Sequence, residues 1–401
     1  MSEHDWRFFT EAEASWRSLP QRLAPTPNPD EIATLVVGGR VWSDWTSVKV
    51  ENRYAEAFDF FTFSNVERPV TVQFKPGDEC AVYLGGLLAI AGVITVRQVV
   101  YDANNHGVQF MGKSLTWYPA RSSIIDEAGN FDGQTFEQVA RKLISPFGVG
   151  VQTVGKLNDI PFDSLQVEPG EKLWDYLENL ARPKGIVMGS DPYGNFLLIG
   201  DHATELDDRL IEGVNIKGMK FIITVENVHS EYVVRGQRRA TDESAGAEAS
   251  QQEGKVSGSA HRYSPLLTPA EQPVWSQQEI LDRAKNEAVW HEGDVLQALI
   301  TVQGWKRSNG GLWRAGQNVH VVSPMAPLDQ ELTLQSVIFS QDSASGTTTQ
   351  LECVPSFLLR GESGFNVGRP GVIADPTTYE NAKPAAAATS VPEPPPLILA
   401  V

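Results

Sequence analysis

From Ala33 onward, apolar and polar side chains alternate in short runs broken by glycine pairs, as half-buried antiparallel strands require. Ala33–Val37 and Arg40–Trp42 flank Gly38-Gly39, which predicts a hairpin. Ser47–Glu51 sets Val48 and Val50 against Lys49 and Glu51. Phe58 and Phe60 share one phase while Phe61 and Phe63 share the other, a one-residue slip that predicts a β-bulge. Val70–Phe74, Glu79–Leu84, Leu87–Val100 and Val108–Gly112 follow, with turns supplied by Gly85-Gly86 and Asn104-Asn105-His106-Gly107. So many short strands without an intervening helix predict a closed antiparallel barrel.

After Asp132 the period changes. Phe136, Val139, Ala140, Leu143 and Ile144 recur at helical spacing, and Pro146 ends the run. A strand at Val149–Val154 follows. Pro169-Gly170 then opens a second helix carrying Leu173, Trp174, Leu177, Leu180 and Ala181. Gly185–Met188 and Asn195–Ile199 flank the turn Asp191-Pro192-Tyr193-Gly194, so the stretch reads as a compact α+β unit.

Strand patterning returns at Met219–Val225 and Val228–Arg235. Gln237–Ser259 has almost no apolar side chains and predicts a mobile, protease-sensitive loop. Ser276-Gln277-Gln278-Glu279 is a capping box, and its helix carries Ile280, Leu281, Ala284 and Ala288 on one face. Beyond the strand Val295–Val302, Asn309-Gly310 predicts a type I′ hairpin between Trp305 and Trp313. The apolar strand Leu332–Phe339 and the polar strand Thr347–Val354 close the pattern. The first thirty or so residues end in Pro25, Pro27 and Pro29 and read as a linker, and Pro376–Pro396 reads as an unstructured tail.

A chain of 401 residues accommodates two or three cores, and 41% hydrophobic content suits a globular protein. A net charge of −17 argues against binding through phosphate neutralisation and against docking on an anionic membrane. Met1–Pro20 lacks the apolar segment of a signal peptide, and Leu84–Val96 is too short and glycine-broken to span a bilayer. These features predict a soluble protein made in a cytoplasm. Cys80 and Cys353 read either as two buried thiols or as one disulfide between the halves.

Candidate chemistry is sparse. His4, His106, His202, His229, His261, His291 and His320 include no i, i+4 pair, and His291-Glu292 lacks the rest of a zinc-protease motif. Gly148-Val149-Gly150 beside Gly155 misses the dinucleotide spacing, and neither a Walker A run nor a nucleophile elbow occurs. Acidic pairs leave glycoside hydrolysis open, although solvated faces account for them better. Trp42, Trp45, Trp290, Trp305 and Trp313 suit core packing or subunit interfaces more than sugar stacking. We therefore expect no catalytic residues, cofactor or metal.

Val167-Glu168-Pro169-Gly170-Glu171-Lys172-Leu173-Trp174 is similar to the opening of a LysM peptidoglycan-binding module, which would imply a cell-wall-binding or peptidoglycan-degrading tail protein. A broader likeness rests on Val36–Arg40, Trp45–Val50 and the Phe-rich strand after Ala57. It continues through Pro169–Ala181 with the Gly194-Asn195 hairpin, and ends in Gly304-Trp305, Gly311-Leu312-Trp313 and the final strand pair. In this order they resemble the baseplate central hub proteins of Mu-like contractile-tailed bacteriophages, over roughly Ala33 to Phe357.

That resemblance implies a mainly β fold with an α+β insert and two small antiparallel β-barrels per chain, assembled as a homotrimeric ring. Its divisions would be an extension at 1–31, a first barrel at 32–120, and the insert at 121–205. A second barrel would occupy 206–357, with the loop 237–259 and the helix 276–291, and a tail 358–401. It implies a virion protein of the tail baseplate, made in host cytoplasm, that adapts a threefold spike to a sixfold tube. Its implied partners are a trimeric tail spike protein, a tail tube or tube-initiator protein and other baseplate proteins, with phage DNA passing through unbound and no membrane contact. A secretion-system spike of the same fold would need a β-helical needle on a separate chain. Leu397, Ile398 and Leu399, apolar residues at the end of a polar tail, are the candidate partner-docking residues.

Overall fold

The computed structural model describes residues 28–65, 74–102, 106–125, 130–163, 165–167, 170–200, 204–236, 252–270, 277–293 and 295–355. The first lobe contains β1 (Ala33–Val37), β2 (Arg40–Trp42), β3 (Ser47–Arg53), β4 (Phe60–Asn65), β5 (Glu79–Leu84), β6 (Leu87–Tyr101) and β7 (His106–Ser114). At the predicted hairpins Gly38-Gly39 and Gly85-Gly86 all four φ angles are positive, as a type I′ turn demands. Val37 therefore pairs with Arg40, and Leu84 with Leu87.

After α1 (Trp117–Arg121), the insert is built from α2 (Phe136–Ile144), β8 (Val151–Val154), α3 (Leu173–Ala181), β9 (Val187–Ser190) and β10 (Phe196–Ile199). Thr135 caps α2 with a reciprocal Gln138 contact. The apolar faces of α2 and α3, with β9 and β10, enclose a separate core that includes Phe136, Tyr176 and Phe196.

Chain order then gives β11 (Thr204–Ile211), β12 (Gly218–Ile223), β13 (Glu231–Gly236), β14 (Gln252–Ser257), β15 (Pro265–Pro269), α4 (Gln277–Gly293), β16 (Leu296–Gln303), β17 (Gln317–Ser323), β18 (Leu328–Asp342) and β19 (Gly346–Pro355). β13, β14 and β15 form a small sheet on which α4 packs around Val234, Ile280 and Ala284.

The other strands form one 13-stranded sheet instead of two closed barrels. Its path runs β12-β16-β19-β18-β3-β4-β7-β6-β5-β1-β2, and β17 links β18 to β11. Closure of the first lobe fails because the second edge of β3 is already taken by β18, from Ser47↔Asp342 to Arg53↔Ser336. β18 divides its length between partners: Leu328–Thr333 pair with β17, and Ser336–Asp342 with β3. A register shift at Leu334/Ser336, in the pairing of β18 with β19, falls where the partner changes. One hydrophobic core runs through both lobes, including Phe61, Phe63 and Phe110 with Trp305, Val337 and Phe339.

Three local expectations are corrected. β4 keeps continuous register with β3 and β7, so there is no bulge among the phenylalanines. Phe58 lies before the strand and, with Phe60, stacks around the Lys113 ammonium, 4.4 and 5.4 Å from the ring centres. At Asn309-Gly310 only the glycine has positive φ. Arg307 N–H donates to Gly311 O and Gly310 N–H to Arg307 O, the longer loop that places one left-handed glycine after a turn. Its flanks join in a single bridge, Lys306↔Leu312, because β16 and β17 pair elsewhere.

Residues 252–257 of the predicted mobile loop form β14. They are held against β13 by cross-strand ion pairs, Lys255–Glu231 and Arg235–Glu253, both at 2.8 Å. The proposed strand at Val70–Phe74 lies outside the described residues except for Phe74, and Ser276 of the capping box also lies outside them. Cys80 and Cys353 are buried free thiols, which resolves the two readings in favour of no disulfide.

Candidate functional site: a three-part polar joint and the open sheet edges

Asp59 sits between Phe58 and Phe60 at the mouth of β4, yet its side chain is buried. Asn52 of β3 donates to its Oδ1 at 2.7 Å, and Asn52 Oδ1 accepts the Ala315 N–H at 2.8 Å. The Asp59 N–H donates to Ser114 Oγ at 3.0 Å, and Ser114 lies 2.8 Å from the Thr116 hydroxyl. Arg314, from the second lobe, reaches Asp59 at 3.7 Å and donates to the Ser190 carbonyl at 3.3 Å.

Ser190 ends β9 of the insert, and its neighbour Asp191 accepts from both the Asn195 N–H and side chain. The Ala91 N–H donates to Pro192 O at 2.7 Å, a second tie between insert and first lobe. All three parts therefore meet around the Asp59–Arg314 pair. Burial pushes the Asp59 carboxyl up to about 6, while Arg314, Asn52, Ser190 and the Arg53 backbone pull in the opposite direction.

The long loop before β17 is pinned in the same manner. Arg307 meets Asp208 of β11 at 3.0 Å, and Asp208 also accepts the Ser308 N–H and hydroxyl. Burial of Asp208 opposes ionisation, but the Ser308 bonds and Arg307 outweigh it and hold the carboxyl below its ordinary range. The start of the described chain is anchored on the second lobe. Lys306 pairs with Asp30 at 2.5 Å, Gln341 donates to Glu31 O at 2.7 Å, and Thr347 donates to the Glu31 carboxylate at 2.9 Å.

The surface carries apolar groups where the sheet is left open. Beyond Ile94, β6 runs on past β5, still paired with β7, and exposes Val99, Val100 and Tyr101, Tyr101 by 76%. At the ends of the sheet, β2 exposes Val41 and β12 exposes Ile222 and Ile223. Such edges attract other chains unless they are covered.

None of the described residues forms a group of three or more His, Cys, Asp or Glu side chains able to hold a metal, and none of the described helices is long and apolar enough to cross a membrane. The segment similar to a LysM opening serves the insert core instead: Leu173 is buried, and Trp174 packs edge-on against Phe196 at 5.6 Å. Trp305 and Trp313 are core residues, and Trp290 is half exposed. Leu397, Ile398 and Leu399 lie outside the described residues. Asp59, Asn52 and Arg314 escaped the sequence reading, although a carboxylate within an aromatic run was a usable signal.

The fold is an open β-sheet carrying an α+β insert, its parts tied together by buried polar groups. Residues 32–114 match the family model of the Mu phage baseplate assembly protein GpP-like, N-terminal. Residues 120–200 match that of the baseplate hub protein gp44-like, second domain, and residues 276–360 that of the Mu phage baseplate assembly protein GpP, fourth domain.

The chain is 25% identical over 342 residues to the baseplate hub protein gp44 of Escherichia phage Mu, covering 82% of this chain and 90% of that protein. It superposes on the 43 kDa tail protein of prophage MuSo2 from Shewanella oneidensis with a TM-score of 0.72 and 25% identity, covering 82% and 99% of the two chains. The tail protein of Neisseria meningitidis MC58 shares the fold, with a TM-score of 0.69 and 19% identity over 82% and 98%. The chain belongs to the Mu-like baseplate hub proteins and is a structural component of a phage tail baseplate.

Proposed function

We propose that three copies close into a ring that adapts a threefold spike to a sixfold tail tube and surrounds the DNA path. The observation that carries this reading is the β3–β18 ladder, which holds two β-lobes of one chain side by side in a single sheet. Each lobe contains a 15-residue strand, β6 or β18, with a register shift partway along it. Three such chains present six lobes around an axis, and cyclic closure requires unlike surfaces of neighbours to meet. The unlike ends of the sheet, β2 and β12, and the exposed end of β6 beyond β5 supply such surfaces.

Three times −17 gives −51 for the ring, a charge that keeps passing DNA from adhering. On this reading the chain acts without catalysis, made in host cytoplasm and carried in the virion beside the spike, the tube or its initiator and other baseplate proteins. The divisions 1–31, 32–120, 121–205, 206–357 and 358–401 are its working parts. Leu397, Ile398 and Leu399 at the tail's end dock on the spike, and truncation after Ala385 is expected to weaken that binding.

Native mass measurement tests the assembly. A species of about three times 44.0 kDa, alone or with the spike, is the expected result. A monomer at every concentration, with or without spike, overturns the proposal.

A further inference from the structure

Between α3 and α4 lies a cleft of about 600 Å³. Trp174, Glu178, Ala181 and Arg182 of α3 and its C-cap form one wall at helical spacing, and Arg283, Asn286, Glu287 and Trp290 of α4 form the other. The lining also includes Gly185–Met188, the entry to β9 and its first two residues. β9 is the outer strand of the sheet β8-β10-β9, so its second edge carries no strand among the described residues. A volume of this size suits a short peptide, and an open strand edge between two walls that each carry a tryptophan suits an extended one with apolar side chains. The charged rim asks for no anion: Glu178 faces Arg182 at 2.8 Å, and Glu287 is bonded to Arg283.

The described chain ends beside a residue that neighbours this cleft. Val354, next to the last described residue, packs on Tyr54, and Ala55, the neighbour of Tyr54, lines the cleft. The sequence continues as Ser356-Phe357-Leu358-Leu359-Arg360, an apolar triplet within a few residues of that exit. An extended chain advances about 3.3 Å per residue, so the triplet can reach up to about 15 Å from Pro355.

We propose that Phe357–Leu359 of the same chain enters the cleft and adds as a strand to the free edge of β9. Alternation along a strand turns Phe357 and Leu359 to one side, toward the two tryptophan walls. The end of the second lobe is thereby fastened to the insert and to α4. This contact is independent of the ring and of the docking of Leu397–Leu399.

Hydrogen exchange on the full-length protein and on its Phe357→Asp/Leu359→Asp variant tests the proposal. The variant's amides in Val187–Ser190 are expected to exchange at least tenfold faster, with β16 unchanged. Equal exchange along β9 overturns it. A second full-length variant, with a photoreactive benzophenone side chain in place of Phe357, keeps the test open if the double variant fails to fold. Cross-links to α3, α4 or β9 within one chain support the proposal. Links between chains, links elsewhere or no links overturn it.

Discussion

The carboxylate of Asp59 lies 3.7 Å from the guanidinium of Arg314, and the two side chains come from opposite lobes of the sheet. Burial dominates at this position, since the carboxyl rises from an ordinary 3.8 to about 6 despite the nearby cation. The folded state therefore holds this proton more tightly than the unfolded chain. Stability from the group is full below about 3.8 and is lost as the pH climbs through about 6.

Asp59→Asn removes that titration while keeping an acceptor for Asn52. The difference in unfolding free energy between the parent and this variant is expected to shift in the parent's favour by about 2 kcal/mol as the pH falls from 7.5 to 4.5. Urea unfolding of both proteins across that range measures it. A difference independent of pH would contradict the buried, proton-binding carboxyl.

Asp208 behaves in the opposite sense. Its carboxyl is held low, so its contribution is present at neutral pH and disappears as the pH falls through its folded value. Arg307→Met leaves this buried carboxylate without its cation and is expected to cost about 3 kcal/mol. Adding Asp208→Leu is expected to recover part of the loss, and a double-mutant cycle in urea measures the coupling.

Gly112 of β7 faces the ring of Phe61. A methyl group there would sit 2.0 Å from Phe61 Cζ and 2.5 Å from the Val93 carbonyl oxygen. Gly112→Ala is expected to lower stability by about 1–3 kcal/mol or more through overpacking. Gly218→Ala on the outer strand β12 meets nothing within 4 Å and is expected to change it by under about 0.5 kcal/mol. Melting temperatures of the two variants give the comparison directly.

The two cysteines provide a chemical check on the core. Burial raises the Cys80 thiol to about 12 and the Cys353 thiol higher still, with acidic neighbours adding to both. A thiol reagent at pH 8 is expected to label neither in the folded protein and both after denaturation without reductant. Denaturation that releases no thiol would point to a disulfide instead.

Short-range pattern carried most of the elements. Val48 and Val50 on β3, and Leu173, Leu177 and Leu180 on α3, are buried as their spacing requires, and both Gly-Gly turns have the backbone they predict. What escaped the pattern was set by partners far away in the chain. The alternation in Ser47–Glu51 describes a half-buried strand equally well whether its second edge meets β2 or β18. Only pairing with Ser336–Asp342 decides that the sheet continues instead of closing. Gln252–Ser257 lacks an apolar core of its own, and its order comes from β13, α4 and two ion pairs. The polar joint was hidden for the same reason, because Asn52, Asp59, Ser190 and Arg314 converge only after three separate segments have folded.

The ladder between Ser47–Arg53 and Ser336–Asp342 has a mechanical consequence. Swivelling one lobe against the other would mean tearing backbone hydrogen bonds and splitting a common core, so nothing at that seam can serve as a hinge. A push delivered to either half travels through the whole plate.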